Sequence, residues 1–333
     1  MKTVPRVAIL DDIHGALREL PPIRRLALRA DVVVFTAPLT AKERPEALRD
    51  VDVVVPLRER SQLDAAFFAD APALKLVAQT GRAGPHIDRE AATRAGVLIA
   101  EGRGPGSSSS TIELTFALMM AVMRRIPQSD ALLRRGQWLV PYGIGLEGKT
   151  LGLVGFGRIG KLVGQVGVSF GMNVQAWSRS MTPRRAAEVG ARSATLEEVM
   201  RSSDVVSIHL ALNDETRGMV NADLLRTLQP HAYFINTARA EVTDEAALIG
   251  LLQQRKIAGA GLDVFTEEPL PPGHPLLGLD NVVLTPHIGW PADASYARFA
   301  EAAVANIEAW LGGEPTNIVN PEAEAIRARQ AAR

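Results

Sequence analysis

The chain has 333 residues, 47% of them hydrophobic, enough for a large core and, at this length, for two domains. Its 37 basic residues balance 37 acidic ones, so no basic surface invites nucleic acid or membrane lipid. There is no cysteine, which excludes disulfides, thiolate metal sites and a thiol nucleophile, and the six histidines show no metal-ligand spacing such as H-E-x-x-H.

In chain order, residues 1–10 carry a short apolar run that breaks at Asp11-Asp12, which reads as a first strand and not as a signal peptide. The runs 32–35, 51–55 and 74–78 are strand-length, bounded by Pro, Gly or Asp, and alternate with helical stretches, arguing for parallel βαβ units. Gly102 to Ser110 is the stretch densest in Gly and Ser, a flexible linker by composition. However, Ser110-Thr-Ile-Glu113 fits a capping box, so the spacing predicts a helix from Thr111 to about residue 126 and makes the linker a hinge. That helix is apolar nearly all round (Phe116, Leu118, Met119, Met120, Val122, Met123), which predicts burial on all sides in an interdomain or intersubunit core. It carries Glu113 and is too short to span a bilayer, so a soluble, cytoplasmic protein with no membrane partner is expected. Trp138 and Tyr142 follow in a Gly-rich loop.

From Leu151 a second alternating series begins, with six strand candidates at 151–154, 174–177, 205–208, 233–235, 258–262 and 282–284. Six strands separated by helical segments match a complete doubly wound sheet. Residues 293–311 then form one long amphipathic helix, ended by Gly312-Gly313, whose position suggests a return to the first domain. The fold expected is α/β, with two Rossmann-like doubly wound domains. A nucleotide-binding domain, 104–290, is inserted in a flavodoxin-like substrate domain made of 1–103 and 291–333.

The second series opens on an apolar strand running into Gly155-Phe-Gly157-Arg158-Ile159-Gly160, a G-x-G-x-x-G pattern. One glycine makes the tight turn, one lets the backbone approach a pyrophosphate, and one lets helix and strand pack closely. The helix that follows points its N-terminal N–H groups at that pyrophosphate. Ser178 lies 23 residues after Gly155, where the ribose-reading residue belongs, and Arg179 follows it. The acid that reads the ribose hydroxyls of NAD is missing there. Arg179 either pairs with a 2′-phosphate or points to solvent and leaves a site that accepts both dinucleotides; NAD(P), with a lean to NADP(H), is the expectation.

Three further segments each place a polar residue just past a strand end: Arg239 after Asn236-Thr237-Ala238, Asp263 and Glu268 in Asp263-Val-Phe-Thr-Glu-Glu268-Pro269, and His287 in Thr285-Pro-His287-Ile-Gly289. In an open α/β sheet ligands bind outside the carboxyl ends of the strands, so these residues converge beside the dinucleotide. At this point the sequence resembles the D-isomer-specific 2-hydroxyacid dehydrogenases. The resemblance runs from Gln79-Thr-Gly81-Arg-Ala-Gly-Pro-His-Ile-Asp88 to Pro286–Gly289, and the spacings of 29 residues from Arg239 to Glu268 and 19 from Glu268 to His287 are family-like.

The resemblance implies catalytic roles for Arg239, Glu268 and His287. His287 as imidazolium gives a proton to the alkoxide formed when a 2-oxo acid is reduced, and Glu268 supports the charged ring. Arg239 binds the substrate carboxylate and polarises its carbonyl. Backbone N–H groups of Arg82, Ala83 and Gly84 hold the rest of that carboxylate, Asp263 orients the nicotinamide, and Thr237, Ala238 and Gly289 line its site. His209 bears on the adenosine end. The family implies an active site in the cleft between the domains and a homodimer built on the helix 111–126 and the Trp138 loop.

Departures from the family pattern are Ala240-Glu241 in place of a glycine after Arg239, Arg82 where small residues are common, and Trp290 after Gly289. Arg82 either contacts an acidic substrate or faces solvent, and Trp290 either walls the substrate pocket or packs against the closing domain. A nucleotide-sensing corepressor of the same fold is an alternative function. A formate dehydrogenase-like enzyme is disfavoured because that branch has glutamine where Glu268 stands.

Overall fold

The computed structural model describes residues 4–102, 108–138 and 142–331, so most of the expected linker lies outside the described residues. The chain divides into two compact units, Met1–Ser107 with Ala292–Arg333, and Ser108–Pro291.

The first unit is built on five parallel strands: β1 (Arg6–Leu10), β2 (Asp31–Val34), β3 (Val53–Pro56), β4 (Leu76–Gln79) and β5 (Leu98–Glu101). Their order, β2-β1-β3-β4-β5, reverses direction between β1 and β3, the flavodoxin-like arrangement. β3 and β4 are buried along their whole length, as strands covered on both faces must be. β5 was not expected from the sequence, because its short apolar run after Gly96 has no alternation to mark it. The helix Asp293–Leu311 buries Tyr296, Phe299, Ala300, Ala303, Val304 and Ile307, a stripe at helical spacing that lies on this unit. Asn320 then ties the tail to β5, accepting from the Ile99 N–H at 2.7 Å and donating to the Val97 carbonyl at 2.9 Å.

The second unit holds seven parallel strands: β6 (Thr150–Val154), β7 (Asn173–Trp177), β8 (Arg192–Ser193), β9 (Val205–Ile208), β10 (Tyr233–Asn236), β11 (Gly259–Leu262) and β12 (Val282–Leu284). The order is β12-β11-β10-β9-β6-β7-β8, with its switch point between β6 and β9. Six strands were expected here. The seventh, β8, has two residues paired with Gln175 and Ala176, too few to show any periodicity.

The helix expected from Thr111 begins at Ser108 and ends at Met123, so Ser110 lies inside it and does not cap it. It stops early because Arg125 takes φ +54°, and a second helix, Ile126–Arg134, starts with a proline in its first turn. Burial is also less complete than its composition suggested. Phe116, Leu118, Met119, Val122 and Met123 are buried within this unit, against β10 to β12 and the helix Arg158–Ser169, whereas Glu113 and Ala117 are exposed and Met120 is half-buried. The contact with β11 is close. A Cβ on Gly261 would lie 2.9 Å from Leu118 Cβ, and one on Gly259 would lie 3.0 Å from Val122 Cγ2. Among the described residues no helix is long and apolar enough to cross a membrane.

Candidate active site

The pairing register aligns the ends of five strands of the second unit. Val154 pairs with Ile208, Ile208 with Asn236, Asn236 with Leu262, and Leu262 with Leu284. The residues that follow these partners, Gly155, His209, Thr237, Asp263 and Thr285, therefore form one row along the carboxyl edge of the sheet. This is the edge at which open α/β sheets bind ligands.

The left end of that row fits a dinucleotide. Gly155 has φ +104°, and a Cβ there would meet the His209 carbonyl oxygen at 2.5 Å. A Cβ on Gly160 would collide with the Gly155 carbonyl, so the helix Arg158–Ser169 can pack only on a glycine. Around Gly157, at the helix N-cap, the space is open. Arg158 is exposed and Ile159 half-buried at the first turn of the helix, whose free N–H groups face this space. A cavity of about 240 Å³ extends from the glycine turn to Ser178, Arg179 and His209. Among the described residues the buried Ser178 hydroxyl has no hydrogen-bond partner.

Two features at this end were not foreseen. Arg179 is ion-paired with Glu215, so an acid does face this arginine, carried on the segment after β9. Arg185 reaches back from the helix Pro183–Ala187 to bond both Ser180 and, at 3.3 Å, the Phe156 carbonyl, bracing the Ser178–Ser180 turn against the glycine turn. His209 keeps some solvent exposure, yet its ring lies deep enough that burial pulls its pKa down to about 4. It is neutral near pH 7, with Nε2 2.9 Å from Ser207 Oγ.

At the other end, β10 delivers the turn Thr237–Arg239. Asn236 braces it, accepting from the Ala238 N–H at 2.9 Å and donating to the Arg239 carbonyl at 3.1 Å. The Arg239 side chain is half-buried, with Nη1 2.7 Å from the Ala238 carbonyl. From β11, Asp263 is 1% exposed. Its Oδ1 accepts from Thr285 Oγ1 at 2.6 Å and Ile288 N at 2.8 Å, and its Oδ2 from Gly289 N at 2.8 Å. Burial raises the Asp263 pKa, against the pull of those three donors and of His287. Asp263 was expected to orient a nicotinamide; the partners it has here are those of the His287 loop. That loop needs holding, because His287 sits at φ +53°, a left-handed conformation uncommon outside glycine.

His287 Nδ1 lies 2.7 Å from Glu268 Oε2, and Glu268 Oε1 accepts from the Phe265 N–H at 3.0 Å. Burial works to raise the Glu268 pKa, but the bonds from His287 and Phe265 and the charges of His287 and Arg239 hold it below its ordinary value. Glu268 is thus an anion aimed at the imidazole. With Nδ1 taken, Nε2 is the nitrogen left to exchange a proton with a ligand.

Residues 116–289 match the family model described as D-isomer specific 2-hydroxyacid dehydrogenase, NAD binding domain. The glyoxylate reductase of Thermococcus litoralis is 40% identical over 287 residues, covering 83% of this chain and 86% of that one. The glyoxylate reductase of Aeropyrum pernix is 38% identical, covering 80% and 82%. The chain belongs to the D-isomer-specific 2-hydroxyacid dehydrogenases. Its activity is NAD(P)-dependent hydride transfer between a 2-oxo acid and the D-2-hydroxy acid, and nothing supports the corepressor alternative. Among solved structures, a phosphoglycerate oxidoreductase from Vibrio cholerae superposes with a TM-score of 0.86 at 35% identity, covering 93% of this chain and 99% of that one. An NADPH-dependent glyoxylate/hydroxypyruvate reductase from Sinorhizobium meliloti, in complex with NADP and malonate, superposes with a TM-score of 0.77 at 28% identity, covering 97% and 98%.

In the first unit of the dehydrogenase, the turn after β4 carries Arg82, exposed, with Ala83 and Gly84 half-buried. The Ala83 N–H is not open, since it donates to Glu101 Oε1 at 3.0 Å. The sequence hid this contact because the two residues sit on adjacent strand ends, 18 positions apart. Arg58, also unforeseen, follows β3 at φ +57° and fills the space beside Gly81 with its guanidinium. His86 is buried behind the same turn, and burial lowers its pKa against the opposing charge of Glu59. Trp290, directly after the His287 loop, is half-buried.

Proposed function

We propose that the dehydrogenase works mainly as a reductase of a short 2-oxo acid, glyoxylate foremost, and prefers NADPH to NADH. The observation that carries this reading is the Glu268–His287 pair, which shares one sheet edge with Arg239 and the glycine turn. The relatives named glyoxylate reductase support the substrate.

The nicotinamide, when bound, supplies the hydride. Arg239 grips the substrate carboxylate with two N–H groups and polarises the adjacent carbonyl. His287, charged and held by Glu268, passes a proton from Nε2 to the oxygen as negative charge develops there. Thr237, Ala238 and Gly289 line the nicotinamide, and Asp263 keeps the loop of His287 in place. Trp290 walls the pocket against large side chains. At the adenosine end Arg179 leaves Glu215 to pair with a 2′-phosphate, with Ser178 on the ribose.

The assembly is a homodimer in the cytoplasm. Its contact surface is supported by Ile126, Leu133, Trp138 and Tyr142, which are 52%, 55%, 84% and 85% exposed in the single chain. The test of the reaction is a panel of glyoxylate, hydroxypyruvate, pyruvate, phenylpyruvate and oxaloacetate with both reduced cofactors. Glyoxylate should show the highest kcat/KM, and His287→Ala should lower kcat by roughly 10²–10⁴-fold. A His287→Ala enzyme with wild-type kcat removes the assigned acid, and equal turnover across the panel removes the substrate.

A further inference from the structure

The helix Ser108–Met123 carries two threonine contacts, one half-buried and one buried, that the reaction as described does not use. Thr111 Oγ1 donates to the Gly289 carbonyl at 2.9 Å, at the end of the His287 loop. One helical turn later, Thr115 Oγ1 lies 2.9 Å from Thr237 Oγ1, at the start of the Arg239 turn. Thr115 is fully buried and Thr237 nearly so.

The direction of these bonds follows from the count of protons. A threonine hydroxyl has one proton to give. That of Thr115 goes to the Thr111 carbonyl at 2.7 Å, so Thr115 must accept from Thr237. The Thr237 proton is therefore turned inward, and its oxygen can only accept from anything bound on the row.

The helix is also fixed along its axis. Leu118 and Val122 rest on Gly261 and Gly259 of β11, and Leu114 and Thr111 rest on Gly289, where a Cβ would lie 3.6 Å and 3.8 Å from their side chains. Close packing on Gly259 and Gly261 and contact at Gly289 seat the helix along its axis, so its hydroxyls are held at set positions on the sheet edge.

We propose that Thr111 and Thr115 are positioning residues. The helix Ser108–Met123 acts as a ruler that clamps the His287 loop at one point and the Arg239 turn at the next, setting the distance between proton donor and carboxylate grip. The two clamps act on different partners, so their loss has different signatures. This inference rests on the roles proposed for Arg239 and His287.

Thr115→Val keeps the branched shape and removes the hydroxyl. It should raise KM for the 2-oxo acid and lower kcat, together costing about tenfold or more in kcat/KM, the scale of one lost buried hydrogen bond. Thr111→Val should lower kcat with KM for the 2-oxo acid nearly unchanged, since it loosens the His287 loop and leaves the Arg239 turn in place. Thr115→Ser and Thr111→Ser retain the hydroxyl and should restore both constants to within about twofold. Reduced-cofactor affinity, read from nicotinamide fluorescence, should weaken in both valine variants, because Thr115 orients Thr237 and Thr111 holds Gly289. If Thr115→Val does not fold, Thr111→Val at its half-buried position carries the test. Valine variants with wild-type kcat, KM and affinity overturn the proposal, as do losses that serine does not rescue. Arg239→Ala and His287→Ala run alongside: if they too keep full activity, the catalytic assignment has failed and not the ruler.

Discussion

Glu268→Gln separates charge from shape at the centre of the proposed site. Glu268 serves two donors, the Phe265 N–H through Oε1 and His287 through Oε2, because both oxygens of a carboxylate accept. Glutamine has the same size but one acceptor and one donor. If its oxygen stays with Phe265, its NH₂ faces Nδ1, and only the neutral ring can accept there. Turned round, its NH₂ meets the Phe265 N–H, two donors in contact. The first arrangement excludes the imidazolium, the second keeps its bond at the cost of the donor clash at Phe265, and both lose the charge attraction. A hydrogen bond to a charged group contributes about 1.5–3 kcal/mol. The two side chains are 30% and 36% exposed, so solvent screening favours the lower half of that range. At about 1.4 kcal/mol per tenfold, reductive kcat/KM on its alkaline limb should fall about ten- to thirtyfold, with the limb moving to lower pH. Oxidation of the hydroxy acid needs the neutral ring, so its acid limb should move down as well. Initial rates from pH 5 to 9 in both directions measure the two limbs. Limbs that stay in place, in a variant with wild-type Tm, would refute the role of Glu268 in the proton step.

Three further outcomes are expected. Arg179→Ala should lower kcat/KM for NADPH and leave NADH nearly unchanged, whereas Glu215→Gln should favour NADPH by freeing Arg179; NADH preference in the wild type, untouched by either change, rejects the phosphate contact. Trp138→Glu, at a position exposed in the single chain, should leave the fold intact and turn the dimer into a monomer in light scattering at micromolar concentration; a monomeric wild type ends the idea. His209 titrates from 6.5 when unfolded to about 4 when folded, so its contribution of about 3 kcal/mol is complete above pH 6.5 and lost as pH falls towards 4. Chemical denaturation across that window should show the loss in the wild type and a flatter curve in His209→Gln.

The parts of the site that were legible in the sequence share one property: each lies within a few residues of a strand's carboxyl end. Parallel pairing in register converts that position along the chain into adjacency in space, so Gly155, Arg239, Asp263 and His287 could be grouped before any contact was known. Two strands escaped for opposite reasons, β8 because two residues carry no pattern and β5 because a short apolar run carries no alternation. The start of the helix Ser108–Met123 was misjudged because a capping box is only a local preference, and a run of four serines at 107–110 offers nothing that marks one of them as the start. Glu215, Arg185 and the Glu101–Ala83 bond were invisible because each depends on a side chain reaching across to another element, and no spacing rule encodes that reach.

Asp263 shows how a buried charge is tolerated next to the chemistry. An isolated carboxylate at 1% exposure would be unstable as an anion, and burial does push its pKa upward. The anion persists because Thr285, Ile288 and Gly289 all donate to it, and these donors lie on both sides of His287. The same bonds that solvate the carboxylate therefore hold His287 at φ +53°, where its Nδ1 meets Glu268. One set of hydrogen bonds thus offsets both the unfavourable burial and the unfavourable backbone geometry. A glycine at 287 would relax the backbone and remove the proton donor, and an asparagine at 263 would turn an NH₂ towards donors that need an acceptor. The strain is thus located at the one residue that must both leave the regular backbone and keep its side chain, with the loop behind it tied down by Asp263 and, through Gly289, by Thr111.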